Sequence, residues 1–371
     1  MKVQITNGMY MALIMNMVYA KAVGLTQGIM AREIGRDIWV ATIFSTIQGC
    51  LAIALIAIVL RRTPNEDLIG HTQVLMGKWM GKLVALVILV FFIGAYSSVM
   101  ITYVFHLMDY FLPEMPIVVF VLVAFMTGAY GIFFGIEVIS RMALTGVFCM
   151  LALNILLLLG TLKNFDVQEM LPFFESGFFP TLWASRQNDT DWAMAVLMSA
   201  MIMPTVKNEK IWVKSGTLGV AIGGLLVAQW PLLETTVLSP EVTGQYIVAC
   251  MQMARSAHIG EFIHRYEMIM VAFFAFSLLV QISMCMYCAT MATSKIVGVK
   301  DYRRLILPVG FVLNAVAYWV VLDHNRAMDL LSNKWPALSL PIVIGLPLLL
   351  WLIGFFFKKK FQKLMTKEGE H

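Results

Sequence analysis

Long apolar stretches, each almost free of charge, recur along the chain and are separated by short polar connections. A helix needs roughly 20 apolar residues to cross the hydrocarbon core of a bilayer, whereas barrel strands would alternate in pieces of about ten residues. The pattern predicts eight clear spans, at residues 38–60, 83–108, 115–136, 142–162, 215–233, 268–294, 305–322 and 335–357. Two weaker segments, 9–30 and 192–206, complete a set of ten.

Composition supports this fold class. Hydrophobic residues occupy 60% of the 371 positions and charged residues 13%, about half the charged fraction of a soluble chain. We therefore expect an all-α membrane protein that forms one polytopic domain over residues 1–371. Its first repeat is expected at about 8–162 and its second at about 180–357, followed by a basic cytoplasmic tail, 358–371. Lys21 interrupts the first segment and no cleavage site follows, so this segment is expected to remain as a span.

The positions of Lys and Arg test the number of spans. With ten spans and a cytoplasmic amino terminus, 18 of the 27 basic residues lie in cytoplasmic segments and eight in external ones. Lys78, Lys300 and the tail are on the cytoplasmic side of this topology, whereas Lys163 and Arg326 are outside. Because basic residues favour cytoplasmic loops, both termini are predicted to be cytoplasmic.

Two amphipathic stretches are expected to lie on the surface of the bundle. Residues 65–80 are predicted to form a cytoplasmic helix, and residues 241–264 an external helix that rests on the bundle. In the external helix, Arg255 and Glu261 are expected to meet water.

Motifs for enzymatic chemistry are missing from the sequence. It contains neither a phosphate-binding G-x-x-x-x-G-K loop nor an H-E-x-x-H pair. Cys285 and Cys288 form a C-x-x-C pattern within an apolar helix, where packing is the better interpretation. The 28 Met residues are dispersed through the spans, which favours flexible core filling over copper binding. We expect no catalytic residues, no metal site, no cofactor and no nucleic-acid partner.

The two weak spans are the first helices of two five-helix halves. Span 1 carries Lys21, Gly24 and Gly28, and span 6 is short and ends near Pro204. Interrupted helices at corresponding positions of an inverted 5+5 repeat indicate a transporter-type binding site. The alternative is that Gly24 and Gly28 only allow close helix packing.

Lys21 favours a binding site. A charge at mid-span costs about 2.5–3.5 kcal/mol on insertion scales, so Lys21 is expected to face a cavity or a partner rather than lipid. Polar residues at similar depth are candidates for the same pocket, although each alone is more often an interhelical hydrogen bond than a ligand contact. They are Tyr96, Ser97, Ser98, Thr102 and Tyr103 on span 3, Ser199 on span 6, and Gln281 and Ser283 on span 8.

Several short motifs, in this order and spacing, carry a resemblance to a known family. They are Lys21 to Gly35 (KAVGLTQGIMAREIG), Gly77 to Lys82, Gly135 to Arg141, Met170 to Phe174 with Gly177 and Pro180, Ser239 to Val242, and His264 to Glu267. Over nearly its whole length the chain resembles the B-subunit permeases of spore germinant receptors of the GerA type, within the amino acid–polyamine–organocation superfamily.

The resemblance implies a small-molecule germinant site near the membrane midplane, between spans 1, 3, 6 and 8. It also implies a complex with an A-type membrane subunit and a C-type lipoprotein in the spore inner membrane. Together with the polar residues above, it gives these candidate ligand-binding residues: Lys21, Ala22, Gly24, Ala95, Tyr96, Ser97, Leu197, Ser199, Gln281 and Ser283.

Two departures from the family pattern affect the expected ligand. Lys21 lies near a position where better-known members are rich in glycine, and residues 186–191 lengthen the approach to span 6. The leading hypothesis is a ligand-sensing, non-enzymatic permease-like subunit. The alternative is a secondary transporter that moves an amino acid or amine with a proton or Na⁺.

Overall fold

The computed structural model describes residues 4–257 and 266–356, and these residues are almost entirely helical. Residues 1–3, 258–265 and 357–371 lie outside this description, as do the predicted tail, Glu261 and the first two residues of the His264 to Glu267 motif. The helices in chain order are α1 (Asn7–Lys21), α2 (Gln27–Ile34), α3 (Ile38–Leu60), α4 (Leu68–Met76), α5 (Lys78–Tyr110), α6 (Ile117–Phe134), α7 (Ile136–Thr161), α8 (Phe178–Ala184), α9 (Arg186–Ile202), α10 (Trp212–Leu238), α11 (Pro240–Gln245), α12 (Ala249–Ser256), α13 (Tyr266–Val297), α14 (Ile306–Val321), α15 (His324–Asp329) and α16 (Trp335–Phe356).

Eight segments of the described chain are long and apolar enough to cross a membrane. The first, Asn7–Leu60, covers two spans, because the chain turns at Gly35, whose φ of +53° suits glycine. Helix α9, with 17 residues, is the weak sixth span. The all-α membrane fold predicted from the sequence is confirmed, and most predicted spans agree with their helices to within a few residues.

Spans 1 and 6 lie at the centre of the bundle. Every residue of α9 from Gln187 to Ile202 is buried, and nearly all of α1 is buried as well. Helix α10 packs along α1 and α3, and α13 packs along α5 and α7. Helices α6 and α16 instead expose much of their apolar surface, as lipid-facing helices do.

Span 6 begins earlier than predicted. The stretch 186–191, interpreted from the sequence as an approach to the span, forms the first turns of α9. This helix is regular from Arg186 to Ile202, and its irregular residues are Ser185 at the start and the 3₁₀ turn Met203–Thr205 at the end. Residues 187–191 are polar, so no apolar run marks this start of the span in the sequence.

Both predicted surface helices need correction. The cytoplasmic one is shorter than 65–80: α4 ends where Gly77, with a φ of +93°, separates it from α5. The external one is two short helices, α11 and α12, because the extended residue Tyr246 interrupts it. Met251 and Met253 of α12 are buried against the bundle, and Arg255 is exposed as expected.

Candidate functional site

A π-helical segment interrupts span 1 near the middle of the bundle. It comprises Ala22–Thr26, directly after Lys21, and all five of its residues are buried. A π-helical turn shifts the backbone hydrogen bonds from i→i+4 to i→i+5, and such turns are frequent at functional sites. The sequence predicted a break in this place, and the structure accommodates the irregularity within a continuous helix.

Lys21 forms an ion pair with Asp191 of span 6. Its Nζ lies 2.7 Å from Asp191 Oδ1 and 2.8 Å from Thr190 Oγ1, and the two charged side chains are 4% and 1% exposed. The pair joins the first helices of the two halves at the level of the π segment. Because both groups are buried, removal of one member would leave the other as an unpaired buried charge, which is strongly destabilising.

A second polar group ties span 1 to span 8. Asn16 Nδ2 donates to the carbonyl oxygens of Ala12 and Ala143, and its Oδ1 accepts from Ser277. Gln281 Nε2 donates to the backbone oxygens of Asn16 and Met17 at 3.1 and 2.8 Å. Span 1 therefore has polar contacts at mid-bundle with three helices, α7, α9 and α13.

Gly24 allows span 3 to pack closely against the π segment. A Cβ at Gly24 would lie 2.6 Å from Thr102 Cγ2 and 2.8 Å from His106 Cε1. His106 Nδ1 is 2.7 Å from the Thr102 carbonyl oxygen, and its Nε2 is 3.6 Å from Cys250 Sγ on α12. The missing side chain is therefore a packing requirement of this contact.

Polar contacts close the end of the site at the turn between spans 1 and 2. Glu33 accepts two hydrogen bonds of 2.8 Å from Arg186, and Arg36 pairs with Glu175 at 2.6 Å. The Asp37 carboxylate accepts from the backbone N–H groups of residues 174 and 176. The turn between spans 1 and 2 is thereby fastened to the entry of span 6.

Backbone pairing closes the end of the site near the amino terminus. Ile5 forms an isolated parallel bridge with Val206, in which its N–H donates to Thr205 O and its carbonyl accepts from Lys207. Asn7 adds a side-chain hydrogen bond to Asn208 O. Thr102, Gln187 and their neighbours pack around Lys21 and leave no room for a water molecule there. The described chain is thus closed on both sides of the ion pair.

The predicted site residues separate into two groups. Lys21, Ala22 and Gly24 lie at the π segment, Leu197 and Ser199 are fully buried in α9, and Gln281 contacts the backbone of span 1. The others point elsewhere. Tyr96 donates its hydroxyl to Asn314 of α14, Ser97 bonds Ile93 O within its own helix beside the buried Ala95, and Ser283 lines a lateral groove with Met126 and Tyr130.

Sequence reasoning missed the polar start of span 6. Asn188, Asp189, Thr190 and Asp191 are all buried, and Asp191 is the partner of Lys21. The available signal was two carboxylates within three residues next to an apolar run. A buried Lys needs an acidic partner, and these were candidates for it.

Comparisons with known proteins show which family the chain belongs to. A family model described as "Spore germination protein" matches residues 4–324. Spore germination protein KB of Bacillus subtilis (strain 168) is 22% identical over 361 residues, which cover 93% of each chain. Spore germination protein GerQB of Bacillus cereus is 23% identical over 328 residues, which cover 88% of each chain.

Solved structures share the fold at low identity. The structure of MhsT in complex with L-phenylalanine has a TM-score of 0.64 at 13% identity, with coverage of 96% of this chain and 99% of that one. A Na⁺-coupled sialic acid symporter in a substrate-bound outward-open state has a TM-score of 0.66 at 12% identity, with coverage of 93% and 78%. The architecture described above is therefore that of these transporters.

Proposed function

Because this multi-pass membrane protein belongs to the spore germination protein family, we propose that it is the ligand-sensing, permease-like subunit of a germinant receptor. The family resemblance drawn from the motifs is confirmed, and the fold is that of transporters. In this proposal a small-molecule germinant, such as an amino acid, binds at the bundle midplane between spans 1 and 6, and its binding triggers germination. The protein acts without catalysis.

The observation that carries the proposal is the Lys21–Asp191 pair beside the π segment. An ammonium and a carboxylate at this depth are costly to retain for packing alone, and they offer complementary groups to a polar ligand. A ligand that binds either group weakens the link between the two halves. Binding then changes the balance between the closed bundle and a more open one, which is how a ligand shifts a conformational equilibrium.

The change in conformation must be transmitted to other subunits of the receptor. We propose an A-type membrane subunit and a C-type lipoprotein as the partners, and the spore inner membrane as the location, with both termini on the cytoplasmic side. The lipid-facing surfaces of α6 and α16 are available for a membrane partner.

Thr190→Val tests the proposal, because it removes one acceptor of Lys21 while it keeps the side-chain shape and leaves Asp191 in place. Spores of a deletion strain, complemented with wild type or variant, are exposed to amino acids, nucleosides and sugars. The active germinant identified with wild type is then titrated. We expect the dose for half-maximal germination to rise about tenfold in the variant, which corresponds to about 1.4 kcal/mol.

Thr161→Val is the matched control, since Thr161 is equally buried but its hydroxyl bonds Leu157 O within its own helix. Both proteins must be present at wild-type level by immunoblot. Equal dose curves for the two variants and wild type would remove the site from germinant recognition. The same holds if the deletion strain answers every germinant normally.

The closure on both sides of the ion pair also favours a second candidate, a secondary transporter of an amino acid or amine coupled to a proton or Na⁺. Alternating access requires a state in which neither side is open. Uptake of the labelled germinant into proteoliposomes separates the two. Concentrative uptake would identify the protein as a transporter rather than a sensor, whereas binding without uptake supports the sensor function.

A further inference from the structure

A small cavity lies on the side of Asp191 that faces away from the ion pair. It is bounded by spans 1, 2, 6 and 7 and has about 10 Å³ of space for the centre of a water-sized sphere, which is room for one such particle. Its polar lining comes from five side chains, and the rest is apolar. These five are Thr42, Ser45, Thr46, Asn188 and Asp191.

Two buried oxygens at this cavity have no hydrogen-bond donor among the described residues. They are Asp191 Oδ2 and Asn188 Oδ1. The Asn188 amide is fixed in orientation, because Thr42 donates its proton to Ile38 O and can only accept from Asn188 Nδ2, at 2.6 Å. Both oxygens belong to residues no more than 4% exposed, so bulk solvent does not compensate them.

The charges around the cavity do not balance. Lys21 neutralises Asp191, but Asp189 is a second buried carboxylate next to them. Its donors are neutral, Trp192 Nε1 at 2.9 Å and the Ser45 hydroxyl, whereas the Ser185 hydroxyl donates to Leu182 O. Asp189 itself does not line the cavity, but Ser45 and Trp192 do, so its carboxylate lies one hydrogen bond behind the wall.

No other charged side chain on these four spans balances Asp189. Helix α3 contains none, and α10 carries none between Lys214 and Glu234 at its two ends. Lys214 is exposed and lies six positions, or about 9 Å of helix, before the nearest lining residue, Val220, and Glu234 is itself acidic. Arg186 is engaged with Glu33.

We propose that this cavity binds one dehydrated alkali-metal cation, such as Na⁺, through Asp191 Oδ2, Asn188 Oδ1 and the hydroxyl oxygens of span 2. All of these are hard oxygen ligands, which suit such ions. One monovalent cation would balance the net charge of the two carboxylates, Asp189 and Asp191, and the one ammonium, Lys21. The site goes beyond the proposed germinant function, because it requires no germinant and lies on the opposite face of Asp191.

The test uses the purified full-length protein in detergent, without germinant. Thermal unfolding is measured in NaCl, KCl and choline chloride at equal ionic strength, together with equilibrium binding of ²²Na⁺. We expect NaCl or KCl to raise Tm by about 2–4 °C over choline, with saturation. If the ion is Na⁺, one equivalent of ²²Na⁺ is expected to bind, and if it is K⁺, KCl is expected to displace bound ²²Na⁺.

Asp189→Asn is the decisive variant, because it removes the excess charge and keeps an oxygen acceptor for Trp192. Its Tm is expected to be the same in all three salts. Thr46→Val, which removes one hydroxyl at the cavity wall, is expected to weaken cation binding at least tenfold. Thr290→Val is the control, since its buried hydroxyl bonds Met286 O on span 8, and it should retain the wild-type response.

Equal Tm values in all salts for wild type, with no ²²Na⁺ bound, would overturn the proposal and leave an ordered water in the cavity. Undiminished cation binding in Asp189→Asn and Thr46→Val would also overturn it, because the ion would then occupy another place. Neither result bears on germinant recognition, which is measured on spores.

Discussion

Lys21 and Asp191 are the two members of an ion pair that is almost completely withdrawn from solvent. Moving two charges out of water costs several kcal/mol each, and their attraction offsets this only when the geometry is good. The pair therefore contributes little net stability, although the loss of either member is expensive. A residue pair of this kind is better explained by a need for charge at the midplane than by a need for stability.

The first prediction follows from this asymmetry. Lys21→Met leaves Asp191 buried and unpaired, and we expect a loss of about 3–5 kcal/mol and a reduced protein level in the membrane. Lys21→Met combined with Asp191→Asn removes both charges, and most of the protein level and the Tm in detergent should return. The double variant should nevertheless remain unresponsive to germinant.

Immunoblots of spore membranes and thermal unfolding in detergent check the stability part, and germination assays check the response. Single and double variants with the same Tm would show that the pair does not couple energetically. A normal germinant response of the double variant would make the pair a packing feature.

Sequence reasoning reached one member of this pair. The cost of a charge in a span marks Lys21 as a residue with a partner or a cavity, but it does not identify the partner across 170 positions of sequence. The sequence does not place Asp191 within a span, whereas in the structure it does lie in one, because α9 begins at Arg186. Tyr96 and Ser283 illustrate the converse, because polarity at the right depth does not indicate which neighbouring helix a side chain meets.

At the level of elements, the π segment sets how spans 1, 3 and 6 fit together. Lys21, directly before the segment, contacts α9, and Gly24 within it packs against α5, so the two contacts lie at one irregularity. The glycines and the charge predicted an interruption from the sequence. Within it Gly24 packs against Thr102 and His106 of α5, a contact that no local pattern encodes.

The second prediction concerns Gly24→Ala. The added methyl group would lie 2.6 Å from Thr102 Cγ2 and 2.8 Å from His106 Cε1, and overpacking of this kind costs about 1–3 kcal/mol. We expect a lower Tm in detergent and a germinant dose curve shifted to higher concentration. Adding Thr102→Ser deletes the Cγ2 methyl group and should restore part of the Tm.

Gly345→Ala is the control for this change, because a Cβ there meets nothing within 4 Å. It should leave the Tm unchanged or raise it, since alanine is the better helix former by about 1 kcal/mol. If Gly24→Ala unfolds at the wild-type temperature, span 3 has room to move away and the close contact is not required.

The fold of the whole molecule follows from the sequence more directly than the site does. Hydropathy locates a span because lipid leaves the backbone no alternative to a helix, so α3 was predicted to the residue. The contacts of Glu33 and Asp37 with the entry of span 6, and the Ile5–Val206 bridge, were not predicted. They arise from the packing of the two halves rather than from any local pattern.

Topology is the last prediction, and it rests on the whole chain, since one additional or missing span would reverse every later loop. In the predicted topology Lys78 and Lys300 are cytoplasmic, whereas Lys163 and Arg326 are external. The three Lys side chains are exposed and Arg326 is partly so, which makes all four positions reachable once their side of the membrane is accessible.

Single cysteines at these positions, in a background without the five native cysteines, are labelled with a membrane-impermeant maleimide in intact cells. The positions of Lys163 and Arg326 should react at once, and those of Lys78 and Lys300 only after permeabilisation. Because the two external positions lie in different halves, each half is tested separately. Labelling at Lys163 but not Arg326 would place an odd number of spans between them, and the full reverse pattern would place the termini outside.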